Sequence, residues 1–350
     1  MKKFLFFASL VIVLVACFNG CSSAEKTGGN IHLQEGRFDR AIQQYKKALE
    51  EYPNDYGLYV GIAVANFMKK DYKETIINLE KAESMSEKGI EGNIKSYEGL
   101  LNTEYLKWQI YYNCAVEYSK DDLAKGIELA KKALEVDDPK KVSQSYNLLA
   151  NLVLKEGKKE EAKDYLMKAI EADRNNIQAY MTLGHSSLAE RDADNALKYF
   201  NEALKVDSSK IEVYELIGQA HLLEGEYGKA IEALEKALSI AGKNPGLLYN
   251  LMVANYSAKN YDEAINKGKE VLALENADNS TATKVYNLLG QAYQEKKDYK
   301  SVVAVVKEAI EKGLINCDSY SLIAHAYYKL GDNKTSAMWS KKLEECEKNK

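Results

Sequence analysis

Proline is almost missing from these 350 residues: Pro53, Pro139 and Pro245 are the only three, so few points force a helix to stop. Arginine is scarce too, with Arg37, Arg40, Arg174 and Arg191 the only four among 48 basic residues. Nucleic-acid binding needs a basic footprint and Arg forks for base edges, and no segment gathers Lys and Arg into one stripe, so that class is set aside. The one long apolar run, Phe4 to Ala16, is thirteen residues, short of the roughly 20 that a helix needs to cross a bilayer. There is no Gly-rich phosphate loop, no HExxH, no Gly-x-Ser-x-Gly and no cluster of Cys with His. The expectation is therefore no enzyme, no cofactor and no metal.

What is present is 46% apolar and 29% charged, a balance that with so little proline fits an almost wholly helical chain. The formal charge is −4, or −6 without Lys2 and Lys3. Cys114, Cys317 and Cys346 match no CxxC spacing and are expected as unpaired thiols. The alternative is that Cys317 and Cys346 face each other across the last helical hairpin, which the separation of their Cα atoms decides.

Lys2 and Lys3 followed by the short apolar run have the form of an export signal. Leu14-Val15-Ala16-Cys17 then resembles the bacterial lipobox. That resemblance implies cleavage before Cys17 and its acylation, with palmitate-type chains, so that residues 1–16 are a signal peptide. Gly20-Cys21, followed by Ser22 and Ser23, is the alternative lipid site. Two or more acyl chains anchor stably where one is marginal. Residues 17–30 are expected to be the lipidated Cys and a Gly-rich flexible tether.

Internal periodicity settles the fold class. Ala162, Ala196, Ala230 and Ala264 stand 34 residues apart, as do Ala169, Ala203 and Ala237, with Val271 next in that row. Tyr146, Tyr180 and Tyr214 keep the same step, continued by Tyr249, Tyr286 and Tyr320 if small insertions are allowed. Within a unit, apolar and small residues recur at steps of three and four, twice over, with a Gly between. A 34-residue period with these residues at these phases resembles the tetratricopeptide repeat. The resemblance implies an all-α protein: an α-solenoid of stacked antiparallel helix pairs in a right-handed superhelix, of about eight repeats. Along the chain we expect N-terminal repeats over 31–84, an irregular, degenerate helical stretch over 85–142, the core array over 143–334 and a charged capping helix over 335–350.

The same resemblance implies a concave groove lined by the first helix of each repeat at phases two, five, nine and twelve. Phases five and nine are one helical turn apart and point the same way. They read Asn147 and Asn151, Met181 and His185, Glu215 and Gln219, Asn250 and Ala254, Asn287 and Gln291, Ser321 and His325. Amides carry donors and acceptors and can pair with the backbone of an extended peptide whatever its sequence; the alternative is a merely solvated face. The family's chaperone clamp sets Lys and Arg beside such Asn residues, and those cations are lacking here. His221 falls at an aromatic packing phase and is expected in the core, and most of the 25 Tyr do the same.

The expected function is a membrane-anchored scaffold or adaptor of the bacterial cell envelope. It would face the periplasm from the outer or inner membrane and hold a protein partner or extended peptide, with no nucleic acid. The alternatives are a surface-exposed lipoprotein that meets external ligands, or an accessory subunit of outer-membrane protein, pilus, secretion or peptidoglycan machinery.

Overall fold

The computed structural model describes residues 24–348; Cys17, Cys21 and the expected signal peptide lie outside them. Among the described residues there are nineteen α-helices and no strand. They form two compact units, which meet between residues 174 and 175.

The first unit holds α1 (Ala24–Gln34), α2 (Phe38–Glu51), α3 (Tyr56–Met68), α4 (Tyr72–Met85), α5 (Glu87–Leu101), α6 (Leu106–Tyr118), α7 (Leu123–Lys132), α8 (Pro139–Lys155) and α9 (Lys159–Ala172). The second holds α10 (Ile177–Ala189), α11 (Ala193–Val206), α12 (Ile211–Leu223), α13 (Tyr227–Ala241), α14 (Pro245–Ser257), α15 (Tyr261–Leu272), α16 (Asn279–Glu295), α17 (Tyr299–Glu311), α18 (Cys317–Lys329) and α19 (Asn333–Lys348). Each consecutive pair packs as a hairpin except around α5, which stands alone.

Local chemistry accounts for the boundaries. Asp55, Asp71, Asp138, Asn176, Asp192, Asn244 and Asp298 each accept a hydrogen bond from the first turn of the helix they precede, satisfying donors that the helix cannot. Pro139 and Pro245 are the first residues of α8 and α14, where no N–H is needed. Except in the α6–α7 hairpin, the chain takes one left-handed residue between the two helices of a repeat. It is Gly36, Gly157, Gly225 or Gly331 in four repeats and Lys70, Arg191, Lys259 or Lys297 in four others. Only glycine adopts that conformation without a steric cost.

The small residues of the period sit where backbones cross. Ala162, Ala169, Ala196, Ala203, Ala230, Ala237, Ala264 and Val271 are all buried. On the first helices, a Cβ at Gly184 would lie 2.3 Å from the Phe200 ring, and one at Gly218 would lie 2.8 Å from Leu234. The first unit has one continuous core from Leu33 to Leu152. In the second, separate clusters centre on Phe200, on Leu234 with Leu251, and on Tyr286 with Val306.

Four departures from the sequence reading stand out. The expected tether is helical over its last seven residues: α1 is the first helix of a repeat, and Gly29 is a contact residue whose Cβ would lie 2.4 Å from the Tyr45 ring. Second, where the pattern lapses, residues 87–101 form the extra helix α5. Third, the charged last helix α19, which pairs with α18 as the second helix of the last repeat, begins at Asn333 rather than at residue 335. Last, Cys317 and Cys346 are joined by a disulfide across that hairpin, with Cα atoms 5.7 Å apart, while Cys114 is a buried free thiol.

Candidate functional site

In the second unit the first helices α10 and α12 touch, as do α14 and α16, and α16 and α18, whereas second helices of neighbouring repeats make no comparable contact. First helices therefore lie on the inner side of the curve, where the family's groove is expected. Along it His185, Gln219, Ser321 and His325 are exposed, Glu215 and Gln291 are half-buried, and Met181 is buried. Met181 shares a core cluster with Phe200 and Leu216, so it packs rather than presents a ligand group.

Two of these positions have aromatic neighbours. His185 meets the Phe200 ring edge-on at 6.2 Å, and His325 stacks on Tyr299 at the same distance. Burial, with Glu212 nearby, raises the pKa of Glu215 from its ordinary value. Gln219 and Gln291 make no side-chain hydrogen bond among the described residues, leaving their donors and acceptors to a ligand.

Asn287 differs: its Nδ2 donates to Asn316 Oδ1 at 2.9 Å and its Oδ1 accepts from Ser319 Oγ at 2.7 Å. It fastens α16 to the start of α18. Asn250 and Ala254 are one residue out of register. Aligning on Tyr249 supposes an insertion, yet Pro245 stands 34 residues after Ile211, and Lys259 occupies the left-handed turn position. Ala254 is accordingly buried like Ala220, and the groove phases of this repeat fall to Tyr249 and Val253, both half-buried. The amide track is thus interrupted at α14. In the first unit, Asn151 on α8 is exposed and Asn147 half-buried.

His221 is largely buried, and its Nδ1 lies 2.7 Å from Glu226 Oε2. Among the described residues no group of three or more His, Cys, Asp or Glu could hold a metal. A cleft of about 550 Å3 in the first unit is lined by Glu83, Glu91, Lys107, Tyr111, Lys132 and Glu135. Its charges are mutually paired, with Lys132 on Glu83 at 2.8 Å and Lys107 on Glu135 at 2.9 Å. No helix of the described residues is long and apolar enough to cross a membrane.

The first helices of the N-terminal repeats are lined differently, in a way the sequence reading missed. Val60 and Val64, at phases five and nine of α3, are fully buried. What covers this side is α5, which packs on α1 and α3, while α6 stacks on α4 as the first helix of the next repeat. The available signal was a pair of valines where the later repeats set mostly polar side chains.

Comparison with known proteins agrees with this geometry. Residues 143–176, 283–311 and 29–55 match models described as tetratricopeptide repeat. Residues 189–271 match the model "Anaphase-promoting complex, cyclosome, subunit 3". No curated protein matches the chain. Among solved structures, a tetratricopeptide repeat protein from Parabacteroides merdae is 17% identical, covering 69% of this chain and 93% of its own, with a TM-score of 0.50. MamA from Desulfovibrio magneticus is 21% identical over 50% of this chain and 96% of its own, with a TM-score of 0.45. Pseudomonas aeruginosa PilF is 17% identical over 58% and 90%, with a TM-score of 0.47. Likeness at these identities concerns the fold alone. By the matched segments and the 34-residue hairpin geometry they share, this chain belongs to the tetratricopeptide-repeat proteins.

Proposed function

We propose that this protein is a lipid-tethered scaffold of the bacterial envelope, and that its C-terminal unit holds an extended segment of a partner protein against the first helices α10, α12, α16 and α18. The observation that carries the reading is the pair Gln219 and Gln291, which lie on the inner side of their repeats with no side-chain hydrogen bond among the described residues. Exposed His185, Ser321 and His325 extend the same line. An extended backbone offers donors and acceptors at regular intervals, and amides answer both. Tyr249 and Val253 break the line with an apolar step, which suits a ligand with one hydrophobic side chain there.

The envelope assignment rests on the basic and apolar start of the chain and on Leu14 to Cys17. The Cys317–Cys346 bridge supports it, because such bonds persist in oxidising compartments outside the cytoplasm. The tether would be short: helix α1 begins at Ala24, seven residues after Cys17.

The test is in-cell photocrosslinking from positions 219 and 291, with Lys236 on α13 as an exposed outer control. One recurrent partner captured from both inner positions and not from 236 supports the groove; position-independent capture sinks it. Anchoring is tested separately. Release of the Cys17→Ala protein into the soluble fraction supports Cys17, retention lost only with Cys21→Ala assigns Cys21, and retention in the double variant refutes lipid anchoring.

A further inference from the structure

The helix α5 lies where a groove ligand of the N-terminal repeats would lie. It is amphipathic: Ile90, Ile94 and Tyr97 are buried, at 4%, 1% and 4% exposure, while Glu91, Gly92, Lys95, Ser96 and Gly99 face solvent. Anchors at i, i+4 and i+7 are how a helix is read by a groove. The receiving surface is built for close approach. A Cβ at Gly57 would lie 2.9 Å from Asn93 Oδ1, and one at Gly61 would lie 2.6 Å from the Tyr97 hydroxyl. These two glycines, one helical turn apart on α3, form a notch into which a helix sinks, and fully buried Val60 and Val64 share its core. At the bottom, Tyr97 hydrogen-bonds Tyr45, whose hydroxyl donates to Asn30 Oδ1 at 2.7 Å.

The neighbouring repeats touch without this helix, because α6 packs directly on α4, although α5 also packs on both of them. Nor is α5 a strong helix. Gly92 and Gly99 sit within it with nothing within 4 Å of where a Cβ would be, so no packing requires them. Each disfavours the helix about four- to five-fold relative to Ala. Its exit runs through two non-glycine residues in the left-handed region, Asn102 (φ 49°) and Tyr105 (φ 56°), an unfavourable conformation for a bulky Tyr. Three polar ties hold it beyond its apolar stripe: Gln34 Nε2 donates to Leu100 O, the Leu106 N–H donates to Glu98 Oε1, and Glu91 pairs with Lys107 of α6 at 3.7 Å.

We infer that the α1–α3 surface is a receptor for an amphipathic helix of a partner protein, and that α5 is a weak in-chain occupant which that helix displaces. The partner helix carries branched aliphatic residues at i and i+4 and Tyr at i+7, the pattern of Ile90, Ile94 and Tyr97. This surface is independent of the C-terminal groove proposed above.

The probe is a labelled synthetic peptide of residues 86–102, added to the full chain. Ile94→Ser in the chain frees the seat, so the peptide should bind this variant at least tenfold more tightly than wild type. The same peptide carrying Ile94→Ser should not bind. Gly92→Ala/Gly99→Ala in the chain strengthens the resident helix, so binding should fall about twentyfold below wild type. Failure of the peptide to bind an Ile94→Ser chain that retains the wild-type helical signal overturns the proposal. Should that variant not fold, native-state hydrogen exchange of wild type decides instead. Opening of α5 before α3 and α4 supports exchange, and opening only with the whole unit overturns it. A wild-type dimer that the peptide dissociates would assign the seat to a second copy and likewise overturn the partner reading.

Discussion

Met252 on α14 fills the notch left by Gly268 on α15, with Leu289 of α16 beside it: a Cβ at position 268 would lie 2.9 Å from Met252 Cε and 2.9 Å from Leu289 Cδ2. One repeat earlier the sizes are reversed, with Gly218 on the first helix receiving Leu234 from the second. The crossing holds one large and one small residue either way, and which helix carries the large one is free. Gly268→Leu should therefore cost about 1–3 kcal/mol by overpacking, and Met252→Ala about 2–5 kcal/mol by leaving a cavity. Combined as Met252→Gly/Gly268→Leu, the loss should be smaller than the sum of the single losses by more than about 0.5 kcal/mol. Urea unfolding of the three variants checks this, and strict additivity would refute the crossing.

Gly184 and Gly228 make a contrasting pair. A Cβ at 184 meets the rigid Phe200 ring, so Gly184→Ala should destabilise by about 1–3 kcal/mol. Nothing lies within 4 Å of a Cβ at 228, and Gly228→Ala should be neutral or stabilise by up to about 1 kcal/mol through helix propensity. Thermal midpoints that move in the same direction for both would contradict the placement.

The left-handed turns give a third test. Lys259 holds φ 63°, a position where a Cβ is costly, so Lys259→Gly should gain about 1 kcal/mol. Gly225→Ala, at φ 74° in the preceding repeat, should lose a similar amount. Chemical denaturation reads both.

Cys346→Ser removes the bridge that closes the last hairpin. On the chain-entropy account a loop of this length contributes about 3–4 kcal/mol. Reductant should lower the stability of the wild type to that of the variant and leave the variant unmoved. A wild type indifferent to reductant would mean the bridge is not formed in solution.

Tyr97 gives a pH dependence. Burial pushes its hydroxyl up to about 12, against an ordinary value near 10. Because the folded pKa is the higher, its contribution to stability is complete below about pH 10 and is lost as the pH rises to about 12. The N-terminal repeats of Tyr97→Phe should weaken less steeply over that window, followed by ultraviolet difference absorbance and denaturation. Equal slopes would place Tyr97 in solvent.

The 34-residue rows of Ala and Gly determined the hairpin fold by themselves, because a close backbone crossing admits only small residues and so writes itself into the sequence at a fixed step. The left-handed turn between helices was legible only where it is a glycine, because a positive φ favours that residue, and not where Lys or Arg takes the same conformation. Tertiary structure decided what local pattern left undetermined. Gly29 reads equally as a flexible link or as a contact, and only the Tyr45 ring beside it makes it the latter. Tyr249 drew the alignment one residue off, because an aromatic signal is louder than the burial of Ala254 that sets the register. Cys317 and Cys346 are 29 residues apart, and only the antiparallel return of α19 brings them within bonding distance. The seat of α5 was hidden most deeply: Val60, Val64, Ile94 and Tyr97 are ordinary apolar residues until the fold lays one helix across the first helices of its neighbours, since a period records what each repeat shares and not what is laid upon it.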